Sequence, residues 1–529
     1  QYTAWHPSSA ESKHQSPMSN QDTQLHTASQ IRAIEAQVMQ SVAAGGMGLD
    51  GYTLMQRAGQ RAFEVLLQRW PDTPGVTVIC GKGNNAGDGY VVARLALQFG
   101  LRVQVLAVAD PTQLAGDAAL AYQAFVESGG QTDASDQPIR HAVIVDGLLG
   151  AGFKLPLRAH YHAMVERINQ STGAVLALDI PSGVEADTGA ATVVDGKLLA
   201  VRADVTVSFV GRKIGLHTGA GAGFVGEQHL VDLGISDEFL AAPASATLLR
   251  WQPQQLPELP IDSFKHRRGR VLIIGGDHGM GGAAIMAAEA AMRSGAGLVT
   301  VVTQPEHQTA LLARLPEAMF MSADSLALGE AISAADFVVI GPGLGRGEWG
   351  NNLFAQTATR TAPMLVDADG LYWLKNSDHQ PAARSLFITP HAGEAASLLS
   401  TSTALIEADR IQAAKSLVTT YKCHALLKGP GSVVIAGTNV HICAHGGPAM
   451  ATAGMGDVLS GICAGLLAPL SATGRLEQVA GAFAQAVALH SASADLAAEE
   501  GSPRSVIATD VIERIPRLLA GEETFVTNC

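Results

Sequence analysis

The stretch from residue 451 to residue 461, ATAGMGDVLSG, combines residue types that suit phosphoryl-transfer chemistry. Its small residues would leave backbone N–H groups accessible just before an apolar helical pattern at residues 458–467, where a helix N-terminus carries partial positive charge. Those groups could neutralise a transferring phosphoryl group, while Asp457 acts as a general base on a nearby hydroxyl. The simpler alternative is an aspartate that only caps the helix. A cap alone does not need glycine and alanine in front of it.

Four other loops in the second half of the chain follow apolar runs and contain polar or glycine residues. They are GGDHGMGGAA at 275–284, GPGLG at 341–345, TPHAGE at 389–394 and LKGPGS at 427–432. Ligands of open α/β sheets bind outside the carboxyl ends of the strands, so we expect these loops to converge. Each also has a structural interpretation as a tight turn, a helix start or, for Lys428, a solvated lysine before a hairpin.

The first half has its own polar loop, CGKGNNAGDG at residues 80–89, which follows an apolar run and opens a helical pattern. Asn84 and Asn85 interrupt the spacing of a dinucleotide fingerprint, and the loop is not a P-loop. Asp146 ends HAVIVD and Asp179 ends VLALD, so two carboxylates are expected at neighbouring strand ends. The alternative is that these aspartates only cap helices or stabilise turns.

Apolar runs alternate with helical patterns along the chain, which predicts an α/β protein with parallel sheets covered on both faces. In the first half we expect strands at 76–79, 103–107, 142–145, 174–178 and 205–209, and a helix at 90–98 ended by Gly100. In the second half we expect helices at 283–294 and 481–498 and strands at 270–274, 299–302, 337–340, 364–366, 386–388, 425–427 and 433–435.

Length and composition narrow the class of protein. The 529 residues exceed one ordinary domain, and proline-rich RWQPQQLPELPID suggests a linker between two. A net charge of −13 argues against a nucleic-acid partner. The 5 cysteines show no CxxC or metal-ligand spacing, which predicts a reduced, cytoplasmic protein without structural zinc. We found no 18-residue apolar run, so no membrane span is expected, and the polar residues 1–25 read as a disordered leader rather than a signal peptide.

The motifs of the second half resemble the ribokinase-like superfamily and, more narrowly, the ADP-dependent NAD(P)H-hydrate dehydratases. IGPGLG, VDADGL, TPHAGE, LKGPGS and MATAGMGDVLSG together carry this resemblance. It implies a ribokinase-like α/β domain that repairs NADH or NADPH hydrated at C6 of the nicotinamide ring. Asp457 would activate the C6 hydroxyl, a phosphoryl group from ADP or ATP would make it a leaving group, and phosphate would be eliminated.

The resemblance also implies binding residues in this domain. The nucleotide would contact Lys428, Gly429, Pro430, Gly431, Ser432 and Gly456, and the hydrate would contact Ala283, Gly343, Gly345 and His391. Mg²⁺ is implied with the nucleotide, near Glu394. Two positions depart from the family pattern, because Ala453 replaces a frequent glycine and Met455 a frequent threonine, so any hydroxyl contact at 455 is lost.

In the first half, GKGNNAGDGYVVAR, VDGLLGAG and LDIPSG resemble the NAD(P)H-hydrate epimerases. The resemblance implies a Rossmann-like three-layer sandwich that interconverts the R and S hydrates, with Asp179 as the acid/base residue. K⁺ would bind the oxygen donors of Asn85, Asp146 and Ser182. Substrate would contact Asp179 and two loops, comprising Asn84, Asn85, Ala86, Gly87 and Asp88 in one and Gly150, Ala151, Gly152, Phe153, Lys154, Leu155 and Pro156 in the other. Ala151 replaces a frequent threonine.

Together the resemblances imply a bifunctional repair enzyme with an epimerase domain at 26–242, a linker at 243–262 and a dehydratase domain at 263–525. Its partners would be the small-molecule hydrate and a nucleotide, without nucleic acid or membrane, and a homo-oligomer is expected. The alternative is a ribokinase-like small-molecule kinase fused to a non-catalytic binding domain. The choices between ADP and ATP, and between NADH and NADPH hydrates, stay open at this point.

Overall fold

The computed structural model describes residues 23–241, 243–256, 261–383 and 385–522. The first half contains the helices α1 Ala28–Met39, α2 Gly51–Arg69, α3 Asn84–Phe99, α4 Gly116–Glu127, α5 Ala159–Gln170 and α6 Asp237–Leu240. Its strands are β1 Gln24–His26, β2 Gly75–Cys80, β3 Arg102–Ala107, β4 Thr132–Ala134, β5 Val143–Gly147, β6 Ala174–Leu178, β7 Thr192–Val194, β8 Lys197–Leu199, β9 Val205–Phe209, β10 Arg212–Lys213, β11 Glu227–Val231 and β12 Ala246–Leu249.

The second half continues the alternation of strands and helices. Its strands are β13 Arg270–Ile274, β14 Leu298–Val302, β15 Met319–Met321, β16 Phe337–Ile340, β17 Met364–Val366, β18 Leu386–Ile388, β19 His424–Leu427, β20 Val433–Ala436 and β21 Asn439–Cys443. Its helices are α7 Gly281–Ser294, α8 Gln308–Arg314, α9 Leu328–Ala334, α10 Glu348–Ala358, α11 Asp369–Asn376, α12 Ala392–Leu398, α13 Thr403–Ala408, α14 Arg410–Tyr421, α15 Met455–Ala472, α16 Val479–Glu500 and α17 Ala508–Leu519.

The first domain is built on a parallel sheet of seven strands in the order β11-β9-β6-β5-β2-β3-β4. Alternate residues of β2 enter different cores, since Val78 packs with helices α2 and α3 on one face while Ile79 packs with residues of α5 on the other. Both faces are therefore covered, as expected for a parallel sheet. This confirms the predicted α/β fold.

The second domain is built on a larger sheet in the order β10-β1-β12-β21-β20-β19-β18-β17-β16-β13-β14-β15. In this order, the strands from β19 to β15 run parallel to one another. β20 runs antiparallel to both of its neighbours, β19 and β21. Val271 and Ile273 of β13 enter the core under α7 and α15, while Leu272 and Ile274 enter the core on the opposite face. The carboxyl ends of β13, β16, β17, β18 and β19 consequently meet at one edge.

Helix α15 packs against α7 and α16 in the centre of the second domain. Among the helices of the described chain, α15 alone is long and apolar enough to cross a membrane by length and composition, and it has 18 residues. Glycine, serine and one aspartate interrupt its apolar residues, so it is not the continuous apolar run that the sequence was searched for. In this fold 67% of the segment is buried, which is typical of a core helix.

Two predicted boundaries differ from the structure. The leader was drawn to residue 25, but Gln24 and Leu25 lie in β1, which pairs with β12 and β10. Residues 1–22 of the leader lie outside the described residues. The linker was drawn from residue 243, but β12 within it pairs in parallel with β21 of the second domain. Of the three prolines in RWQPQQLPELPID, Pro253 starts a 3₁₀ turn, and Pro257 and Pro260 lie outside the described residues.

Four cysteines of the described chain, Cys80, Cys423, Cys443 and Cys463, are buried and form no disulfide with one another. Burial raises the pKa of the Cys423 thiol to about 12, and the pKa values of Cys80 and Cys463 are raised as well. Cys529 lies outside the described residues. These thiols serve as small apolar core residues.

Candidate active sites

A cavity of about 570 Å³ opens at the carboxyl ends of the first-domain strands. It lies where β2 passes into α3 and β5 passes into the following loop, because those loops cross the same edge of the sheet. Most residues predicted to contact substrate line it, namely Asn84, Asn85, Asp88, Gly150, Ala151, Gly152, Phe153, Lys154, Pro156 and Asp179. The structure thus brings both predicted loops and the predicted acid/base residue to one cavity.

Three residues predicted to contact substrate do not line this cavity. Ala86 is fully buried in the core. A Cβ added at Gly87 would lie 2.5 Å from the sulfur of Met55, so this glycine permits close packing of α3 on α2. Leu155 is half-buried beside the lining residues. Since the helix turns each successive residue by about 100°, a continuous stretch cannot face one ligand throughout.

The predicted K⁺ ligands Asn85, Asp146 and Ser182 form one buried cluster. Ser182 Oγ donates to Asp146 Oδ1 at 2.6 Å, and Ser182 N donates to Asp146 Oδ2 at 2.8 Å. Asn85 Nδ2 donates to Leu149 O at 2.9 Å, and Leu149 N donates to Ser182 Oγ at 2.8 Å. Asn85 Oδ1 is buried and has no hydrogen-bond partner among the described residues.

Asp146 is fully buried, and burial raises its pKa to about 6. Its hydrogen-bond partners in the described chain are Ser182 and the N–H of Leu148, neither of which is charged. A buried carboxylate without a cation is costly. Together with the unpartnered Asn85 oxygen, this donor set fits a hard monovalent cation.

Asp179 adopts a left-handed backbone conformation, with φ of 65°, directly after β6. Its Oδ1 accepts a short hydrogen bond from the Lys213 ammonium, and its Oδ2 accepts from Ala151 N at 3.3 Å. Lys213 is 1% exposed and also donates to Phe209 O at 2.7 Å and Ser208 Oγ at 3.1 Å. The carboxylate is therefore held in a single orientation at the cavity wall.

Sequence reasoning missed several charged residues at this site, among them Lys213, which pairs with Asp179, and Glu35. Lys213 follows β9 in GRKIGL, where no motif marks it. Glu35 lies on α1, far from the motifs in sequence, yet it lines the cavity. Burial, followed by the negative charge of Asp179, raises the pKa of Glu35 above its usual value. Burial and the charges of Asp179 and Glu35 likewise raise the pKa of Asp88 well above its usual value.

The second site is centred on the ion pair between Lys428 and Asp367. Lys428 Nζ donates to Asp367 Oδ1 at 2.9 Å and lies 3.8 Å from Glu394 Oε2. Although burial lowers the pKa of Lys428, the charges of Asp367 and Glu394 raise it above its usual value overall. Lys428 does precede the β19–β20 hairpin, but its ammonium is paired rather than solvated.

Asp457 lies in the first turn of α15, whose N-cap is Gly454 with φ of 88° and no side-chain capping bond. The capping alternative for Asp457 is thus wrong. A Cβ added at Gly456 would lie 3.3 Å from Asp367 Oδ2 and 3.4 Å from Lys428 Nζ, so this glycine sits against the ion pair. Burial and the charge of Asp367, opposed by Lys428, raise the pKa of Asp457 to about 7.

The two residues that depart from the family pattern, Ala453 and Met455, lie at the start of α15. Met455 is 7% exposed and belongs to the main core of the second domain, so its side chain points away from solvent. Ala453 is exposed in front of the helix. Met455 therefore packs into the core, and Ala453 contributes only a methyl group in front of the helix N-terminus, where N–H groups lack intrahelical partners.

The two glycine loops predicted for the hydrate site pack against each other. Asp277 N donates to Gly343 O at 2.7 Å, and a Cβ at Gly343 would lie 3.2 Å from the Cβ of Ala283. Gly345 N donates to Asp369 Oδ2 at 3.1 Å. Ala283, Gly343 and Gly345 are therefore brought together, and both glycines have positive φ.

His391 and Glu394 form a capping box at the start of α12, which confirms the helix-initiating role considered for TPHAGE. His391 Nδ1 accepts from Gly393 N at 3.0 Å, and Glu394 Oε2 accepts from His391 N at 2.8 Å. Lys428 N donates to Pro390 O at 2.8 Å, which places this turn beside the lysine. Burial, opposed by Lys428, raises the pKa of Glu394 above its usual value.

Three residues beneath this site were not predicted as site residues. Asp367 is 1% exposed, and Ser460 Oγ donates to its Oδ2 at 2.9 Å. Its motif VDADGL marked the position but not the pairing with Lys428. His490 of α16 is 4% exposed, and burial together with Lys428 lowers its pKa to about 4, so its imidazole is neutral.

The described residues contain no cluster of three or more histidine, cysteine or acidic side chains with metal-binding geometry. Lysine, aspartate and backbone N–H groups dominate the second site instead. This arrangement can hold phosphate groups beside a carboxylate base. The first site can hold a polar ring next to a fixed carboxylate and a buried lysine.

Comparison with known proteins matches both halves of the chain. Residues 271–517 match the family described as NAD(P)H-hydrate dehydratase, and residues 51–215 match the family described as YjeF-related protein N-terminus. A Coxiella burnetii protein called bifunctional NAD(P)H-hydrate repair enzyme Nnr is 42% identical over 502 residues, covering 93% of this chain and 99% of that protein. The Escherichia coli protein of the same name is 42% identical over 491 residues, covering 91% and 92%.

Among solved structures, a Bacillus subtilis ADP/ATP-dependent NAD(P)H-hydrate dehydratase co-crystallised with ATP/Mg²⁺ is 26% identical. It covers 52% of this chain and 98% of its own, with a TM-score of 0.45. The sequence matches extend over both domains and nearly the full length of each relative. The chain therefore belongs to the bifunctional NAD(P)H-hydrate repair enzymes, with an epimerase domain followed by a dehydratase domain.

Proposed function

We propose that the second domain removes water from the S hydrate of NADH or NADPH by transient phosphorylation. Asp457 accepts the proton of the C6 hydroxyl, whose oxygen attacks the terminal phosphorus of ADP or ATP, releasing AMP or ADP. Loss of phosphate from C6 and of a proton from C5 then restores the C5–C6 double bond. The observation that carries this proposal is the convergence of Asp457, Gly456 and Lys428 at the N-terminus of α15.

The other predicted contacts support the same assignment. Lys428 and the loop through Ser432 would hold the phosphates, because an ammonium held between carboxylates keeps its charge and N–H groups bind anions. Ala283, Gly343 and Gly345 offer a surface without bulky side chains, which suits a flat ring. His391 would approach the hydrate through its exposed ring edge, since its Nδ1 is already occupied in the cap.

A kinase that releases a stable phosphorylated product is the main alternative for this domain. Phosphate release distinguishes the two. We expect purified enzyme supplied with the S hydrate and nucleotide to release one inorganic phosphate for each reduced nicotinamide recovered. A phosphorylated nicotinamide that accumulates without phosphate release would instead support the kinase.

For the first domain, we propose that Asp179 is the acid/base residue of epimerisation. Inversion at C6 requires this carbon to become planar, and a cyclic hemiaminal reaches that state by opening its ring. Asp179 would accept the hydroxyl proton as the C6–N1 bond breaks and donate it to N1, and both proton transfers would reverse when N1 attacks the other face of the planar C6 carbonyl. The hydrogen bonds from Lys213 and Ala151 N hold the carboxylate for this task.

We further propose that K⁺ occupies the cluster of Asn85, Asp146 and Ser182. The unpartnered Asn85 Oδ1 and the buried Asp146 carboxylate support it, because both lack a positively charged partner among the described residues. A bound cation would supply positive charge for a phosphate of the substrate. The remaining lining residues of the cavity would bind and orient the substrate directly.

This cation site predicts a K⁺-dependent stability. Replacing K⁺ with tetramethylammonium at equal ionic strength should lower the melting temperature of the wild-type protein by a few degrees, because binding to the folded state stabilises it. Asn85→Ala should abolish that difference, and the exposed neighbour Asn84→Ala should retain it. A melting temperature that is independent of K⁺ in the wild type, or still dependent in Asn85→Ala, would contradict the site.

The raised pKa of Asp457 predicts the pH dependence of dehydration. A general base works in its deprotonated form, so kcat should rise as pH increases through about 7 and become constant above it. One unit below the pKa only about a tenth of the carboxyl groups are ionised, so the rate there should be about a tenth of the plateau. The test is to measure kcat at saturating substrates from roughly 1.5 pH units below the pKa of Asp457 to roughly 1.5 units above it. A flat profile would contradict the role.

Mg²⁺ would reach this site with the nucleotide phosphates. Glu394 fits poorly as a direct ligand, since one carboxylate oxygen caps α12 and also faces Lys428 at 3.8 Å. Mg²⁺ is usually held by phosphates and several waters, and the carboxylate could bind such a water. A cytoplasmic homo-oligomer whose partners are the hydrate and the nucleotide remains part of the proposal.

A further inference from the structure

The loop of residues 428–432, proposed to bind the nucleotide of the dehydratase, is contacted by residues of the epimerase half. Residues 217–219, which follow β10 in the epimerase half, lie directly against it. Thr218 Oγ1 donates to Gly431 O at 2.8 Å, and Gly219 N donates to Pro430 O at 3.1 Å. Thr218 is 0% exposed, so its hydroxyl is shielded from water that could replace this bond.

The two segments approach too closely for a side chain to fit between them. Gly431 has φ of 56°, and a Cβ added there would overlap the carbonyl oxygen of His217. Glycine at this position therefore allows both the left-handed conformation and the contact. The approach is built into both segments and is not a loose surface contact.

Both sides of the contact are anchored. On the epimerase side, Gly215 N donates to Ala186 O at 2.7 Å and Gly221 N donates to Gly189 O at 2.8 Å. On the dehydratase side, the fully buried Arg410 donates from Nη2 to Leu427 O at 3.1 Å, just before the loop. The strand series β10-β1-β12-β21 also joins the two halves through one sheet.

Peptide geometry turns this contact into an orientation of hydrogen-bond donors. The only cis peptide in the described chain is Leu155–Pro156, so the peptides after Pro430 and Gly431 are trans. In a trans peptide the N–H points opposite to the C=O. With the carbonyls of Pro430 and Gly431 facing the epimerase half, the N–H groups of Gly431 and Ser432 face the other way.

We propose that Thr218, a residue of the epimerase domain, is a positioning residue for the nucleotide site of the dehydratase. It fixes the Gly431–Ser432 peptide so that its N–H is directed at the nucleotide phosphates. The inference rests on the proposed function, because it takes residues 428–432 as the phosphate-binding loop. Dehydration then depends on the first domain for nucleotide affinity and not for its chemistry.

Thr218→Val tests this, because valine has nearly the shape of threonine without the hydroxyl. Loss of one hydrogen bond should raise KM for ADP by about three- to tenfold, with kcat at saturating ADP nearly unchanged. Because KM equals a dissociation constant only when chemistry is slow, calorimetric titration with ADP should show the same weakening. Thr218→Ser, which keeps the hydroxyl, should bind ADP like the wild type. Epimerase activity should be unchanged in both variants.

Unaltered ADP affinity in a folded Thr218→Val protein would overturn the proposal. Equal loss of affinity in Thr218→Ser would also overturn it, because packing and not the hydroxyl would then matter. If the valine variant does not fold, Thr218→Ala removes the hydroxyl without adding bulk and carries the same prediction. Failure of the proposed function would look different, since the wild type itself would then neither dehydrate the hydrate nor bind ADP.

Discussion

Asp457→Asn should lower kcat for dehydration by about 10²- to 10⁴-fold, the usual contribution of a general base. Asparagine keeps the size and hydrogen-bonding shape of the side chain but cannot accept the hydroxyl proton. ADP affinity should stay the same or increase, because the backbone cradle and Lys428 remain and one negative charge next to the phosphates is removed. Recovery of reduced-nicotinamide absorbance from the S hydrate, with ADP titrated separately by calorimetry, measures both.

A matched control is Asp409→Asn at the N-cap of α14, where asparagine caps as well as aspartate. Its dehydration rate should equal that of the wild type. Epimerisation should also be unaffected in both variants, since they lie in the second domain. Near-normal turnover by Asp457→Asn would remove this residue from the mechanism.

Asp179→Asn should slow exchange between the R and S hydrates by about 10²- to 10⁴-fold while dehydration of the S form continues at the wild-type rate. The amide cannot serve as acid or base, yet asparagine tolerates the left-handed conformation that Asp179 adopts. The variant also leaves the buried Lys213 without its negative partner, so its melting temperature should fall. Dehydration of the S form reports that the rest of the chain remains folded.

Asp195→Asn provides the comparison for this substitution. Asp195 is exposed and also has a positive φ, of 49°, so the same change is made in the same backbone conformation without touching the cavity. It should leave exchange unaltered. If Asp179→Asn exchanged the two hydrates as fast as Asp195→Asn, another group would have to be the acid/base residue.

Much of the fold could be predicted because it depends on local pattern. The predicted strands at 174–178, 205–209, 270–274 and 337–340 match β6, β9, β13 and β16, since each is a run of apolar residues bounded by turn residues. β1, β10 and β12 were missed. They have 3, 2 and 4 residues, too few for a periodic pattern, and form through pairing between distant segments.

Some residues of the candidate sites could be predicted from the sequence, and others could not. Glycine-rich loops and strand-end aspartates carry sequence signals, and the structure brings most of them together at the carboxyl ends of the strands. Lys213 and the pairing of Asp367 with Lys428 had no such signal, because burial and charge pairing depend on residues remote in sequence. The two alternatives that proved wrong, a capping role for Asp457 and a solvated Lys428, were suggested by local patterns alone.

The contact between Thr218 and Gly431 also lay beyond the sequence. The two residues are 213 positions apart, and each looks like an ordinary turn residue. Only the relative placement of the two halves shows that one supports a loop of the other. This is why a fused chain can place part of a site in the neighbouring domain.

The measurement that tests the account most directly is recovery of reduced-nicotinamide absorbance from a mixture of R and S NADH hydrates. The reactions contain ADP, ATP or no nucleotide. Recovery is expected only with a nucleotide and should continue past the S fraction to completion faster than the hydrates exchange spontaneously. In Asp179→Asn, recovery past the S fraction should slow toward the rate of spontaneous exchange. No recovery with either nucleotide would contradict the dehydratase assignment, and wild-type recovery that stops at the S fraction would contradict the epimerase assignment.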